Sequence, residues 1–332
     1  MSLASRAVNA LRSPRRFTLL MALAAAVFAL TCGAERPLER DPAATSFPAA
    51  TPSAIQTPEV RWSARGEGVD AVLATVDLAR GPQRFAFVLS DNRGLVRLPV
   101  VEAKSYFHPG GYGSPGKEGP VQTVTARFYE FPLGTRGIYV TKLDFAQTGD
   151  WSVETGVPRP DGSTAKVEIR FPVSMRTDSV AVGESPPRSA NRTLKDVPSI
   201  AQLTTGSHRD PGLYQPTVAD AVASGRPTVI VFASPAFCTN AVCGPQVEVL
   251  SELREKYGGR ANYVHIDYYQ NPHEIQGDLT RAIPSPHLAE WGLRALEWTY
   301  VIGRDGTVAA RFENFAPRAE LDAALDEALA RG

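Results

Sequence analysis

The spacing of apolar and polar positions changes character along the chain. Between residues 59 and 175 the apolar residues come in short runs with no long helical pattern, at Val69 to Leu78, Phe85 to Leu89, Val124 to Phe128, Gly137 to Phe145, Trp151 to Thr155 and Ala165 to Phe171. Val124-Thr125-Ala126-Arg127-Phe128 alternates strictly, as a half-buried strand does. Turn formers at Gly81-Pro82, Asp91-Asn92, Gly149-Asp150 and Asp161-Gly162 punctuate the runs. The pattern predicts an all-β domain of roughly seven strands.

From residue 196 to 332 strand and helix patterns alternate. A short helix at Val218 to Val222 precedes an apolar run, Thr228 to Ala233, that reads as a buried strand. A helix follows in which Val247, Val249, Leu250 and Leu253 share a face until Gly258-Gly259 stops it. Tyr263 to Asp267 is a further strand, Leu288 to Leu293 a short helix, and Trp298 to Ile302 with Val308 to Phe312 a hairpin about Arg304-Asp305-Gly306. A last helix from about Pro317 to Ala330 carries Leu321, Ala324, Leu325, Ala328 and Leu329 on one side. Residues 176–195, with Pro186-Pro187 and few apolar positions, read as a linker between the two parts.

The first 58 residues fit neither pattern. Arg6, Arg12, Arg15 and Arg16 come without an acidic neighbour, and Phe17 to Ala34 carries no charge, so residues 1–34 read as an export signal or a retained signal anchor. Cys32 closes that apolar run, where bacterial lipoprotein signals place the cysteine that is lipidated. Lipidation at Cys32, a plain anchor and a cleaved peptide all export the rest of the chain. Residues 35–58, with five prolines among alanine, serine and threonine, form an extended tether. The expected location is therefore outside the cytoplasm, with the membrane reached through the N-terminus.

Composition narrows the function. The 332 residues carry 35 basic and 35 acidic side chains, and the body of the chain has no basic stretch interleaved with aromatics, so nucleic acid is not an expected partner. Gly111 to Glu118 spaces its glycines and lysine like a phosphate-binding loop. Glu118 stands where a magnesium-binding hydroxyl is needed, and a strand pattern follows instead of a helix, so the segment reads as a hairpin loop. His108 reads as a surface loop residue, since no second histidine or cysteine lies at metal spacing. No cofactor or metal is expected.

Three cysteines leave one unpaired. Cys238 and Cys243 flank the junction where the 228–233 strand gives way to Gly244-Pro245 and a helix. Proline is tolerated in a first helical turn, where its missing N–H would have no intrahelical partner. A thiol at such a place faces unpaired backbone N–H groups and the positive end of the helix dipole, which favours the reactive thiolate.

Val231-Phe232-Ala233-Ser234-Pro235-Ala236-Phe237-Cys238 followed by Cys243-Gly244-Pro245, with Trp298-Thr299-Tyr300-Val301 and Asp305-Gly306 downstream, resembles the active-site segment and hairpin of the thioredoxin-like superfamily. The resemblance covers residues 196–332 and implies a thiol-disulfide oxidoreductase with Cys238 and Cys243 as catalytic thiols and protein thiols, disulfides or a redox protein as partners. In the first part, Gly137-Ile138-Tyr139, Leu143-Asp144-Phe145 and Gly149-Asp150-Trp151 resemble the last strands of extracytoplasmic immunoglobulin-like modules, which implies an Ig-like β-sandwich. The expected architecture is thus an immunoglobulin-like sandwich followed by an α/β thioredoxin-like domain.

Two departures leave alternatives open. Four residues, not two, separate the cysteines, so either Cys238 holds the first-cysteine position, or Cys243 does and Gln246 replaces the second. Leu296-Glu297-Trp298-Thr299 lacks the proline that thioredoxins place before the hairpin strand. The competing readings are a static disulfide in a non-catalytic binding module and a copper-binding chaperone using the cysteine pair with a histidine. Asp267 and Glu297 could handle protons near the thiols, but read as solvated or strand-end carboxylates. His265, His273 and His287 read as satisfied strand or loop residues.

Overall fold

A computed structural model describes residues 62–331, apart from 112, 133, 135, 239, 240 and 296. Cys32, the 1–34 segment and the 35–58 tether lie outside the described residues.

The first half forms one antiparallel sheet from β1 (Ser63–Gly66), β2 (Val69–Leu73), β3 (Gly81–Asp91), β4 (Gly94–Leu95), β5 (Val100–His108), β6 (Glu118–Glu130), β7 (Gly137–Phe145), β8 (Gly149–Pro158) and β9 (Thr164–Val173). Its order is β1-β2-β3-β7-β6-β5-β8-β9, with β4 paired to β3. The sheet curls until its edges approach. At Gly66 an added Cβ would lie 2.4 Å from the Lys166 carbonyl oxygen, and the Glu67 carboxylate accepts the Lys166 N–H at 3.0 Å. Nine strands in a single, nearly closed sheet replace the two-sheet Ig-like sandwich of roughly seven strands. The β7 and β8 segments that suggested that sandwich do not pair with each other, since β7 lies between β3 and β6 and β8 between β5 and β9.

Alternation explains the interior. Phe85, Phe87, Leu89, Tyr139, Leu143, Trp151, Val153 and Phe171 point inward and form one core. Ala86, Ile138 and Val140, on the other face of β3 and β7, are buried as well, against the second half of the chain. Two buried faces account for the near-continuous apolar run in β3. His108 corrects the sequence reading. It ends β5 as a buried residue, with Nε2 2.9 Å from the Ser152 hydroxyl and Nδ1 3.1 Å from the Gly116 carbonyl.

The second half is built on a four-stranded sheet of β10 (Thr228–Ala233), β11 (Asn262–Ile266), β12 (Glu297–Ile302) and β13 (Val308–Glu313), in the order β11-β10-β12-β13. β10 runs parallel to β11 and antiparallel to β12, which pairs antiparallel with β13. Val229, Val231 and Ala233 face the helices α2 (Cys243–Tyr257) and α5 (Arg318–Ala330). Ile230 and Phe232 face α1 (Val218–Ala223) and α4 (Pro286–Glu290). All six residues of β10 are buried, because helices cover both faces. The succession of strand, cysteine loop, helix, strand, helix, hairpin and helix expected from the sequence is the one observed, with α3 (Pro272–Ile275) as a short addition after β11.

The two sheets share part-buried polar contacts. The Arg84 guanidinium donates to the carbonyls of Glu313 (3.0 Å) and Phe315 (2.8 Å) and pairs with Glu320 at 2.9 Å. The Glu313 carboxylate in turn accepts the N–H groups of Val76 and Asp77 at 2.7 and 2.9 Å. Phe131 packs on Phe315 with ring centroids 4.2 Å apart. Among the described residues no helix is long and apolar enough to cross a membrane.

Candidate functional site

Cys238 and Cys243 form a disulfide, with Cα atoms 5.9 Å apart. The strand β10 delivers the chain into the loop that carries Cys238, and Cys243 is the first residue of α2. Pro245 therefore sits in the first turn, as its chemistry allows. The two residues differ in access: Cys243 is fully buried, while Cys238 is partly exposed.

The helix start has an unusual cap. Val242 precedes α2 and offers no side-chain acceptor for the first-turn N–H groups. The Cys238 sulfur fills that role, accepting the Cys243 backbone N–H at 3.3 Å. Backbone donors at a helix N-terminus stabilise negative charge. A thiolate formed at Cys238 would thus meet a donor already in place.

Gln246 follows Cys243 by three residues. It lies one turn into α2, fully buried, and its Oε1 accepts the Ala316 N–H at 2.8 Å. Glu297 starts β12 opposite Ala233, on the sheet face that α2 covers. Its Oε1 accepts the Thr299 hydroxyl at 2.9 Å, whereas its Oε2 and the Gln246 Nε2 have no hydrogen-bond partner. Burial drives the Glu297 pKa well above that of an ordinary glutamate.

Asp267 is also buried, so neither carboxylate is solvated. Thr205 donates to Asp267 Oδ2 with both its backbone N–H (2.7 Å) and its hydroxyl (2.8 Å), and Tyr269 N–H donates to Oδ1 at 3.1 Å. The Thr205 oxygen then accepts from the Ser234 hydroxyl (3.0 Å) and the Ala236 N–H (3.3 Å), which ties Asp267 to the start of the cysteine loop. Burial raises the Asp267 pKa to about 6, with these hydrogen bonds opposing the rise.

His265, on β11, is held from both sides, as the satisfied strand histidine of the sequence reading. Its Nε2 donates to the carbonyl of Ala233, the last residue of β10, at 3.0 Å. Its Nδ1 must then accept, and the Tyr214 hydroxyl supplies the proton at 2.7 Å. Burial lowers the His265 pKa to about 4, so the ring is neutral at pH 7. His287 faces Glu290 at 2.8 Å and His273 faces Glu274 at 3.8 Å. Among the described residues no group of three or more His, Cys, Asp or Glu is arranged to hold a metal ion.

The site thus gathers Cys238 and Cys243 as the sequence suggested, and adds Thr205, Tyr214 and Ala233 as supports. Thr205 and Tyr214 left no signal in the sequence, since each acts through a contact more than 50 residues away along the chain.

No family model matches the sequence, and no curated protein does. Solved structures that resemble the chain include one from Chlorobium tepidum, named as a thiol:disulfide interchange protein DsbE, at 15% identity over 46% of this chain and 99% of that one, with a TM-score of 0.34. Another is the soluble domain of PmoD from a Methylocystis species, at 13% identity over 35% of this chain and 98% of that one, with a TM-score of 0.22.

Proposed function

We propose that the chain is an extracytoplasmic thiol-disulfide oxidoreductase, tethered to the membrane through its N-terminus, with Cys238 as the sulfur that meets the partner and Cys243 as the resolving sulfur. The observation that carries this reading is the asymmetry of the pair. Cys238 is partly exposed and capped by a helix N–H, and Cys243 is buried behind it.

In the reducing direction the Cys238 thiolate attacks one sulfur of a partner disulfide, forming a mixed disulfide and releasing the partner's other sulfur as a thiolate. Cys243, deprotonated, then attacks the Cys238 sulfur, which closes the internal disulfide and expels the partner's second thiolate. Two electrons pass to the partner, and the reverse sequence oxidises a dithiol. Residues 59–175 and 196–332 would act as separate functional parts joined by 176–195, and Cys32 would carry the lipid.

A purely structural bond is the weaker reading on energetic grounds. Closing a loop with a sequence separation of 5 stabilises by only about 2 kcal/mol. The reading is tested by trapping. Cys243→Ser should accumulate mixed disulfides with a disulfide-bonded peptide, and Cys238→Ser should not. Equal trapping by both variants, or by neither, would overturn the assignment.

A further inference from the structure

Asn314, Phe315 and Ala316, between β13 and α5, are gripped by the first half of the chain. The Arg84 guanidinium donates to the Phe315 carbonyl at 2.8 Å, and Phe131 packs on the Phe315 ring with centroids 4.2 Å apart. The Asn314 side-chain amide donates to the Ala74 carbonyl. Phe131 directly follows β6, and Ala74 directly follows β2. Phe315 is 2% exposed and Ala316 0%, so the segment is enclosed. Asn314 holds a left-handed backbone, with φ at 57°, that turns the chain out of β13.

The same three residues also meet the supports of the cysteine pair. The Ala316 N–H donates to Gln246 Oε1 at 2.8 Å, and the Gln246 N–H donates to the Val242 carbonyl at 2.9 Å, closing the helical turn that contains Cys243. The Asn314 N–H donates to the Glu297 carbonyl at 3.0 Å. Glu297 pairs across the sheet with Ala233, where β10 ends and the cysteine loop begins. One segment thereby reaches both the strand that delivers Cys238 and the helix that begins with Cys243. Groups held in a fixed separation react as if at high effective concentration.

We propose that Phe131 is a positioning residue for the cysteine pair: through Phe315, Ala316 and Gln246 it holds the start of α2 where the Cys238–Cys243 bond closes most readily. The role rests on the redox reading of the pair. It gives the nine-stranded sheet a part in setting the reduction potential.

The test equilibrates the full chain with glutathione or dithiothreitol mixtures and reads the oxidised fraction of the pair by alkylation and mass spectrometry. Phe131→Ala should lower the equilibrium constant for closing the disulfide by roughly threefold or more, a potential about 14 mV less negative for this two-electron couple. Phe131→Leu, the gentler variant should the alanine one fail to fold, should shift it less and in the same direction. Gln246→Leu removes the last link, so in that background Phe131→Ala should move the potential no further. Asp77→Asn weakens the Asp77–Arg311 pair, elsewhere between the sheets, and should lower the unfolding midpoint with the potential unmoved. Unmoved potentials in the Phe131 variants would overturn the proposal. So would a full Phe131→Ala shift in the Gln246→Leu background, or an equal shift from Asp77→Asn. A parent potential below about −300 mV would instead remove the redox reading on which the role rests.

Discussion

Tyr214 donates its hydroxyl to Nδ1 of His265 at 2.7 Å, and the same ring donates from Nε2 to the Ala233 carbonyl at 3.0 Å. A residue far from the cysteine loop thereby holds the end of the strand that delivers it. Tyr214→Phe would leave a buried ring nitrogen without its donor, so a loss of about 1–3 kcal/mol is expected in denaturant unfolding at pH 7. Unchanged stability would show that the ring needs no such support.

The buried carboxyls set the pH dependence. Glu313 rises from 4.5 to about 7 on folding, chiefly through burial, and burial pushes Glu297 in the same direction. Folding therefore takes up protons at these sites, so their contribution is fully present below pH 4.5 and is lost as pH climbs through 7. For Glu313 alone the difference corresponds to about 3 kcal/mol. Glu297→Gln, which removes the ionisation while keeping the shape, should raise the unfolding midpoint at pH 8 and change it little at pH 4.

His265 acts with the opposite sign. Its pKa falls from 6.5 to about 4, so the stability that depends on its neutral ring is present above pH 6.5 and is lost as pH falls through 4. Stability in the Glu297→Gln background should consequently decline more plainly on acidification than in the parent chain. Unfolding midpoints measured across this range check both signs.

Much of the second half was legible in the sequence, because β10 is buried on both faces and shows it as an unbroken apolar run, and because the cysteines bracket the start of α2. The first half was less so. β5 escaped notice because its inward positions include Ala103 and Ser105, small or polar residues that blur the alternation. The choice of one curled sheet over two packed ones depends on distant pairings such as β3 with β7 and β5 with β8, which spacing does not encode. Asp267 and Glu297 read as solvated or strand-end carboxylates, and they do lie at strand ends, but buried. Only the fold shows that Thr205 covers the first and that the second lies under α2.

Arg84 carries part of the contact between the sheets. Truncation would leave the Glu313 and Phe315 carbonyls and the Glu320 carboxylate without their donor, an expected loss of about 3–5 kcal/mol. Arg84→Lys should recover only part of it, since an ammonium cannot reproduce the planar fork. Urea unfolding of the two variants and the parent chain measures the ranking. Equal stability of the lysine variant and the parent would contradict it.

The most direct test of the redox reading is the reduction potential of the Cys238/Cys243 pair, obtained by equilibrating the chain against glutathione mixtures and counting free thiols. A value of about −120 to −270 mV, the range of cycling thiol-disulfide proteins, is the predicted result. A value below about −300 mV would mark a bond that stays closed, and would contradict the account.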